Sequence, residues 1–476
     1  MYAINTNVSN TLPSAEKARL FHNMGIPSAA VTKNNMLSRK GVDLKTEAIA
    51  GVTTFFTMAY IVVVNPAILS TPGTGLPFNG VLTATVLVCV LGTLLMGVYA
   101  NLPFAVAPGM GINAFFTFSI VIGRGVPWSE ALGMVFVNGV IFLLLSVTGV
   151  REKIVAAIPH SLKMAITCGI GLFIAFIGLK NGGVIVANPA TFVSHGNFAT
   201  PSVALCLAGI VLTAVLVARR IPGAIIISIA AITVVGMFIR AGGNRMVTEL
   251  PTSLVSLPAS PAPVFLKLTF DFLSNSNAIL MALPIILTLL LVDMFDNIGT
   301  LIGVTKRAGF LRPDGTLPKV GRALVADSLA TLLSALFGTS TVVSYIESAS
   351  GVEAGGRTGL TTVTTAGLML LALFFTPLIL IIPAAATAPA LVIVGVFMMQ
   401  SITEIDMSDF KVAVPAVLTI LGIPLTFSIA EGIGIGLITA ALLALALGEP
   451  KKLTAIGYGV AAVFFMQFFH VWPFAR

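Results

Sequence analysis

Three carboxylates stand where a chain can least easily hold a charge. Asp293 and Asp296 lie within the apolar run 287–301, and Glu347 lies within a second apolar region, 339–356. Inserting a carboxylate at the centre of a membrane helix costs about 2.5–3.5 kcal/mol, so an acid in such a place suggests a function by default. A carboxyl group withdrawn from water can also bind and release a proton.

The positions of the three acids suggest a role for each. Asp293 and Asp296 are three residues apart, which places them on one face of a helix. Asp296 is our candidate for proton coupling, and Glu347 is its rival for that role. Asp293 is a third candidate, for which a hydrogen bond between helices is an equally open interpretation.

Two apolar segments contain residues that interrupt helices. Pro103 and Pro108 each remove a backbone N–H and disfavour helix before them, which predicts an extended stretch and then a half-helix from Gly109. The β-branched, hydroxyl-rich stretch 339–345 also favours extended chain and leads into a half-helix beginning near Glu347. Extended chain at membrane depth is tolerable only against protein or a watery cavity. The pattern therefore predicts a polar ligand site between two half-helix N-termini, with ordinary kinked helices as the alternative.

The composition requires lipid as the solvent for most of the chain. Of its 476 residues 57% are hydrophobic and only 9% are charged, whereas a soluble domain carries roughly a quarter charged residues. The net charge of +8 comes from basic residues in short gaps between apolar stretches, so we expect topology signals and no nucleic-acid partner. The chain has no His–Glu metal spacing, no Cys/His nucleophile pair and no phosphate-binding lysine loop. We therefore predict no enzyme, no catalytic residues, no metal site and no cofactor.

The apolar runs predict an all-α polytopic membrane protein with fourteen transmembrane segments. Each run is near the ~20 residues that cross a hydrocarbon core. The predicted segments are 48–69, 79–99, 103–121, 129–149, 161–180, 202–218, 222–240, 277–304, 322–338, 339–356, 359–381, 385–401, 411–428 and 430–448.

Basic residues predict the orientation of these segments. With the N-terminus inside, most lysines and arginines fall on the cytoplasmic side, which is the bias expected when both termini are cytoplasmic. The predicted parts are a cytoplasmic N-terminal segment (1–45), a first seven-span repeat (46–240), an extracytoplasmic connector (241–276), a second seven-span repeat (277–450) and a C-terminal apolar segment (451–476). Within the last part, 453–473 is either a fifteenth span or an interfacial helix.

The two halves resemble each other. Thr57, Met58 and Tyr60 align with Asp293, Met294 and Asp296, and 93–95 aligns with 331–333. Seven is an odd number, so the second copy enters the membrane from the opposite side. This predicts a 7+7 inverted repeat, which is typical of secondary transporters with a site near the midplane.

Four stretches resemble AzgA-like purine permeases, a branch related to the uracil/xanthine permeases. The resemblance extends from about residue 40 to about residue 450. The stretches that carry it are 51–66, 107–116, 295–301 and 344–359.

This resemblance implies a fold and a function. It implies short extended stretches in segments 3 and 10, a core domain of segments 1–4 and 8–11, and a gate domain of segments 5–7 and 12–14. It also implies a plasma (inner) membrane permease that imports adenine, guanine or hypoxanthine with protons, and it leaves a homodimer open. By position, it implies that Asn113, Asp296 and Glu347 form the polar part of the site.

The chemistry of a purine adds further candidates. Glu347 can accept from ring N–H groups, while Asn113 can donate and accept at once. The aromatic residues Tyr345, Phe115 and Phe116 are candidates for stacking on the base, and Thr57, Tyr60 and Thr300 are candidates for supporting contacts.

Three other functions remain open alternatives. An inorganic-anion transporter of the same fold should avoid a carboxylate at its site. An uncoupled channel needs no proton-binding residue. A transporter of another nucleobase would share the whole architecture.

Overall fold

The structure is a computed structural model that describes residues 43–148, 159–242, 245–251, 253–308, 320–450 and 453–469. Most of the predicted N-terminal segment lies outside these residues, as do 451–452 and 470–476 of the C-terminal segment.

The first half of the chain is helical, with one short strand at its centre. π-helical turns over Met96–Ala100 and Phe115–Ile122 continue two of the helices in this half. Its elements are α1 (Leu44–Met58), α2 (Ile61–Leu69), α3 (Phe78–Leu95), β1 (Val106–Pro108), α4 (Met110–Ala114), α5 (Trp128–Thr148), α6 (His160–Asn181), β2 (Ile185–Asn188), β3 (Phe192–His195), α7 (Pro201–Ala218) and α8 (Ala224–Gly236).

The second half is also helical with one short strand at its centre, and it follows a connector that holds a small hairpin. Its elements are β4 (Arg240–Gly242), β5 (Arg245–Met246), α9 (Ser276–Ala308), α10 (Val320–Phe337), β6 (Val342–Ser344), α11 (Ser348–Glu353), α12 (Gly359–Ala372), α13 (Thr376–Leu380), α14 (Ala384–Met399), α15 (Phe410–Thr426), α16 (Ile429–Ala446) and α17 (Ala455–Phe468). The connector also contains a 3₁₀ turn, Asp271–Leu273, and two more 3₁₀ turns follow α12 and α14.

The structure is that of a helical, multi-pass membrane protein. Among the described residues, ten helices are long and apolar enough to cross a membrane. Four shorter apolar helices are Met110–Ile122, Ala224–Gly236, Phe410–Thr426 and Ala455–Phe468. The last of these is shorter than the ~20 residues that cross a bilayer. A count of fourteen spans therefore stays a prediction.

The first predicted segment is not one continuous helix. A turn at Ala59–Tyr60 separates α1 from α2, and the β-branched run Ile61–Val64, whose side chains fit a helix less well, follows it. The predicted span over 48–69 lies within the candidate membrane span Leu44–Leu69, which this turn interrupts. The break lies beside the candidate site.

Short polar side chains fix where several helices begin. The side chain of Asp409 accepts a hydrogen bond from the backbone of Lys411, and Ser428 does the same for Glu431. Such caps satisfy N–H groups that have no partner within the helix. Thr358 and Thr454 cap α12 and α17 in the same way.

The helices pack in two groups. In one, α10 packs on α5 and α3, and α12 packs on α1 and α3. In the other, α6 packs on α14 and α15, and α14 packs on α7. Contacts between the groups are sparser and include those of α9 with α16.

The two strands that lie far apart in sequence pair at the centre. β1 and β6 are antiparallel, with Val106 opposite Ser344 and Pro108 opposite Val342. Two further bonds extend the ladder, from Gly109 N–H to the carbonyl of Thr341 (3.1 Å) and from Tyr345 N–H to the carbonyl of Ala105 (2.9 Å). The extended stretches expected in segments 3 and 10 are therefore present.

Equivalent threonines hold the two strands. The Thr93 hydroxyl donates to the carbonyl of Val106 (3.2 Å), and the Thr331 hydroxyl donates to the carbonyl of Val342 (3.2 Å). These are the two threonines that align in the internal repeat. Each half of the chain thus fixes its own strand with the same contact, which supports a repeated architecture.

Candidate functional site

A half-helix begins directly after each central strand. Gly109 is extended and precedes α4, while Glu347 is the residue before α11. Because β1 and β6 are paired, both helix starts lie beside the same strand ladder. This is the arrangement that the two interrupted segments predicted.

Glu347 is held by two side chains from the broken first segment. The Tyr60 hydroxyl donates to Glu347 Oε1 at 2.5 Å, and the Thr57 hydroxyl donates to the Glu347 carbonyl at 3.3 Å. Tyr60 is almost fully buried, at 1% exposed. A hydrogen bond to a charged acceptor is short and strong, so this contact fixes one carboxylate oxygen.

The Glu347 carboxylate lines an open cavity. We call this space of about 890 Å³ the Glu347 cavity. The structure places Arg220, Gln400 and Glu353 on its wall, none of which the sequence suggested as site residues. Polarity alone does not identify these residues from the sequence, because a basic residue such as Arg220 is equally expected in a short loop, where it sets the orientation of the segments.

Asp296 lies against the start of the other half-helix. A Cβ atom placed on Gly109 would lie 3.3 Å from Asp296 Oδ2. The absence of a side chain at Gly109 therefore lets the carboxylate approach the end of β1. Asp296 and Glu347 are also near enough to interact electrostatically, although they lie on different elements.

The space beside Asp296 is nearly closed. We call it the Asp296 cavity, and its volume is about 10 Å³, roughly enough for one water molecule. Gly111 of α4 and Ile170 of α6 meet there. The two groups of helices are thus in direct contact at this acid.

Within the described part of the chain, the side-chain amide of Asn113 has a hydrogen-bond partner at its oxygen and none at its nitrogen. It is fully buried, and its Oδ1 accepts a hydrogen bond from the Ser340 hydroxyl. Its Nδ2 has no hydrogen-bond partner among the described residues. A buried donor without a partner costs free energy, so a ligand acceptor at this point would be stabilised.

The three aromatic candidates are buried in the protein. The Tyr345 hydroxyl donates to the carbonyl of Pro108 at 2.7 Å, which ties β6 to β1. Phe115 and Phe116 are 1% and 0% exposed and belong to the main hydrophobic core. None of these rings lines the Glu347 cavity or the Asp296 cavity. Their stacking role stays a prediction.

Asp293 and Thr300 lie on the same helix as Asp296 but have other surroundings. Asn138 of α5 donates to Asp293 Oδ2 at 3.2 Å, and both side chains are fully buried. The contact agrees with the helix–helix interpretation of Asp293. Thr300 is 8% exposed. Elsewhere in the described part of the chain, no cluster of three or more His, Cys, Asp or Glu side chains could hold a metal ion.

The close contact between Gly111 and Ile170 predicts that a larger residue at position 111 impairs transport. A Cβ atom on Gly111 would lie 2.5 Å from Ile170 Cγ2, so Gly111→Ala should force the two helix groups apart. We expect substrate transport to fall about tenfold, and Ile170→Ala in the same chain to restore it because the new methyl group then has room. Uptake by the single and double variants measures this. If the double variant lost as much uptake as Gly111→Ala alone, the steric contact with Ile170 would not be the cause of the loss.

Comparison with known proteins decides the family. A model described as "Permease family" matches residues 45–463. The chain belongs to this family, in its AzgA-like purine-permease branch. The permease is therefore a transporter and not an enzyme.

Similar curated proteins cover almost the whole chain. The guanine/hypoxanthine permease PbuO of Bacillus subtilis (strain 168) is 41% identical over 438 residues, which are 91% of this chain and 99% of the relative. The adenine permease AdeP of Escherichia coli (strain K12) is 40% identical over 431 residues, which are 90% of this chain and 94% of the relative.

A solved structure shares the fold at low sequence identity. The transmembrane domain of the cyanobacterium bicarbonate transporter BicA superimposes with a TM-score of 0.60 and 17% identity, covering 82% of this chain and 97% of that one. The permease therefore shares the fold of that transmembrane domain.

Proposed function

We propose that this permease imports purine nucleobases (adenine, guanine or hypoxanthine) across the plasma membrane together with protons. The observation that carries the proposal is the pair of acids, Glu347 and Asp296, set at the starts of two half-helices beside a central strand pair. The relatives named as guanine/hypoxanthine and adenine permeases support the substrate class.

The chemistry of the site suits a purine. Glu347 keeps its second carboxylate oxygen for a ring N–H while Tyr60 occupies the first. Asn113 Nδ2 can donate to a ring nitrogen or carbonyl. A purine presents both kinds of group on one flat edge, so we expect the pair to fix its orientation once the Glu347 cavity extends to Asn113, which is fully buried in this conformation.

Proton coupling follows from the second acid. Asp296 borders the contact between the helix groups, at Gly111 and Ile170. A negative charge there is costly without a partner, whereas a protonated acid is not. Protonation of Asp296 would therefore favour the closed contact, and Glu347 remains its rival for the proton.

The movement that we propose is a rigid-body rocking of a core domain against a gate domain. The core comprises α1–α5 and α9–α13, and the gate comprises α6–α8 and α14–α16, within a fourteen-span inverted repeat whose termini are cytoplasmic. The closer packing within each group than between them supports this division. The Glu347 cavity opens between the groups, since both α11 and the turn at Arg220 line it.

Two other functions fit less well. BicA is named as a bicarbonate transporter, and this fold can therefore serve an anion. Two carboxylates at the site would repel such a substrate. An uncoupled channel would not need the closed contact at Asp296.

Uptake of labelled bases tests the proposal. Cells that lack their own purine permeases should accumulate labelled adenine, guanine or hypoxanthine when they produce this chain, and a protonophore should stop the accumulation. Uptake that ignores the protonophore would contradict symport. Uptake of none of the three bases, with the protein present in the membrane, would contradict the substrate class.

A further inference from the structure

A cluster of aromatic rings joins the two helix groups. Phe118 follows α4, Phe173 and Phe176 belong to α6, and Phe427 lies between α15 and α16. Ring centroids are 6.2 Å apart for Phe118 and Phe173, 5.5 Å for Phe173 and Phe427, and 5.4 Å for Phe176 and Phe427. All three pairs are edge-on, the geometry that aromatic rings favour.

A hydrogen bond across the groups accompanies these rings. The Ser119 hydroxyl donates to the carbonyl of Phe427 at 2.8 Å. Ser119 belongs to the group that carries the strands, while Phe427 belongs to the other group. The bond must break whenever the two groups slide past each other.

The backbone at Phe427 is unusual. Its φ angle is 52°, in the left-handed region that residues with a side chain rarely adopt. Strained residues persist where the surroundings determine them, and they concentrate at sites that move or bind. The Lys180 ammonium group also lies 5.5 Å from the Phe427 ring centroid and stabilises the ring in this position.

The structure has a second large cavity. It has a volume of about 790 Å³, and we call it the Arg124 cavity. Arg124 and Glu431 line it from the two groups and attract each other. Burial lowers the pKa of Arg124, and the Glu431 carboxylate opposes that shift.

The order of residues along two helices places the rings between the cavities. Gly111 and Ile170 border the Asp296 cavity. Phe118 lies about two helical turns beyond Gly111, roughly 10 Å, and Phe173 lies one turn beyond Ile170. The chain reaches Gly123 and Arg124, on the wall of the Arg124 cavity, only after Phe118. Along these two helices, the rings therefore lie between the residues that line the Asp296 cavity and those that line the Arg124 cavity.

We propose that Phe118, Phe173, Phe176 and Phe427 form an aromatic seal that closes the path from the Arg124 cavity to the substrate site, with the Ser119–Phe427 hydrogen bond as its latch. The inference rests on the proposed transport function and names the residues that prevent a leak in this conformation. Rings that pack edge to face exclude water, yet they can separate when the latch breaks. A flat base can then pass between them.

Thiol labelling tests the seal without any substrate. A reporter cysteine at Thr167, on the wall of the Asp296 cavity, is exposed to a membrane-impermeant thiol reagent in vesicles of known orientation. Met281→Cys, in the Arg124 cavity, and Ser350→Cys, in the Glu347 cavity, identify which face the reagent reaches. The natural cysteines are buried, and the chain without a reporter gives the background.

Phe427→Asn is the main variant, because Asn tolerates the left-handed backbone but has no ring. We expect reagent from the Arg124 side to label the Thr167→Cys reporter at least tenfold faster in this variant. Ser119→Ala removes only the latch, and we expect about a threefold increase. Phe465→Ala is the matched control, because it breaks an aromatic pair outside the seal, in which the ring centroids of Phe465 on α17 and Phe469 directly after it are 4.5 Å apart.

The outcomes separate the two proposals. Labelling within twofold of the parent in both seal variants would overturn the seal, whichever base is transported. Faster labelling together with no purine uptake by the parent chain would leave the seal standing and reject the proposed substrate. Faster labelling in Phe465→Ala as well would show general loosening and would also overturn the seal.

Discussion

Glu347→Gln should abolish purine uptake while the permease remains in the membrane at its normal level. Glutamine keeps the shape of the side chain, and its amide oxygen can still accept the Tyr60 hydrogen bond that is 2.5 Å long in the structure. The packing of α11 should therefore survive. What disappears is the negative charge and the second acceptor oxygen that a ring N–H would use.

The size of the effect follows from the lost contact. A hydrogen bond to a charged group contributes about 1.5–3 kcal/mol, and each 1.4 kcal/mol is a factor of ten in affinity. We expect base binding to weaken about 10- to 100-fold and accumulation to become undetectable. Binding to the purified protein and uptake in cells measure the two effects separately.

Glu353→Gln provides the matched control. Glu353 lies on the same half-helix, lines the same cavity and undergoes the same change of charge. It does not stand at the strand end, so we expect uptake to stay within about twofold of the parent. Uptake that survives Glu347→Gln, or is lost equally in Glu353→Gln, would remove Glu347 from the site.

The sequence predicts the broken segments and the buried acids because their causes are local. Pro103 and Pro108 interrupt a helix wherever they stand, and the structure forms β1 and α4 at that point. An acid in an apolar run is expensive in any fold, so the sequence alone marks Asp296 and Glu347 as candidates for function.

The contacts that complete the site have no local cause. Tyr60 and Glu347 are 287 residues apart, and their hydrogen bond depends on the break at Ala59–Tyr60, which no proline or glycine marks. Phe115 and Phe118 are both buried in the core, and nothing in the sequence shows that the ring of Phe118 contacts Phe173 across the helix groups. Aromatic residues in an apolar run all look alike until the packing of the helices is known.

The internal repeat could be predicted only in part from the sequence. The sequence aligned Tyr60 with Asp296, and the structure gives the two residues matching positions. Tyr60 contacts the start of the half-helix in the second half, whereas Asp296 lies against the start of the half-helix in the first. Each half of the chain thus supports the binding element of the other, which a residue-by-residue alignment could not reveal.

Asp296→Asn should uncouple transport from the proton gradient without preventing substrate exchange. Asparagine has nearly the same volume, so it fits between Gly109 and Ile170 as aspartate does, but it cannot bind or release a proton. We expect accumulation to fall at least tenfold and to lose its sensitivity to a protonophore, while counterflow of labelled base continues.

Asp293→Asn is the comparison that separates the candidates for the proton. It makes the same change one helical turn away, at a carboxylate that Asn138 already engages. We expect it to lower the melting temperature, because a buried hydrogen bond is disturbed, and to leave the protonophore response intact. Accumulation that stays proton-driven in Asp296→Asn would assign the proton to Glu347, whose contact with Tyr60 would then hold the proton donor in place. Loss of coupling only in Asp293→Asn would instead move the proton site to the interface of α5 and α9.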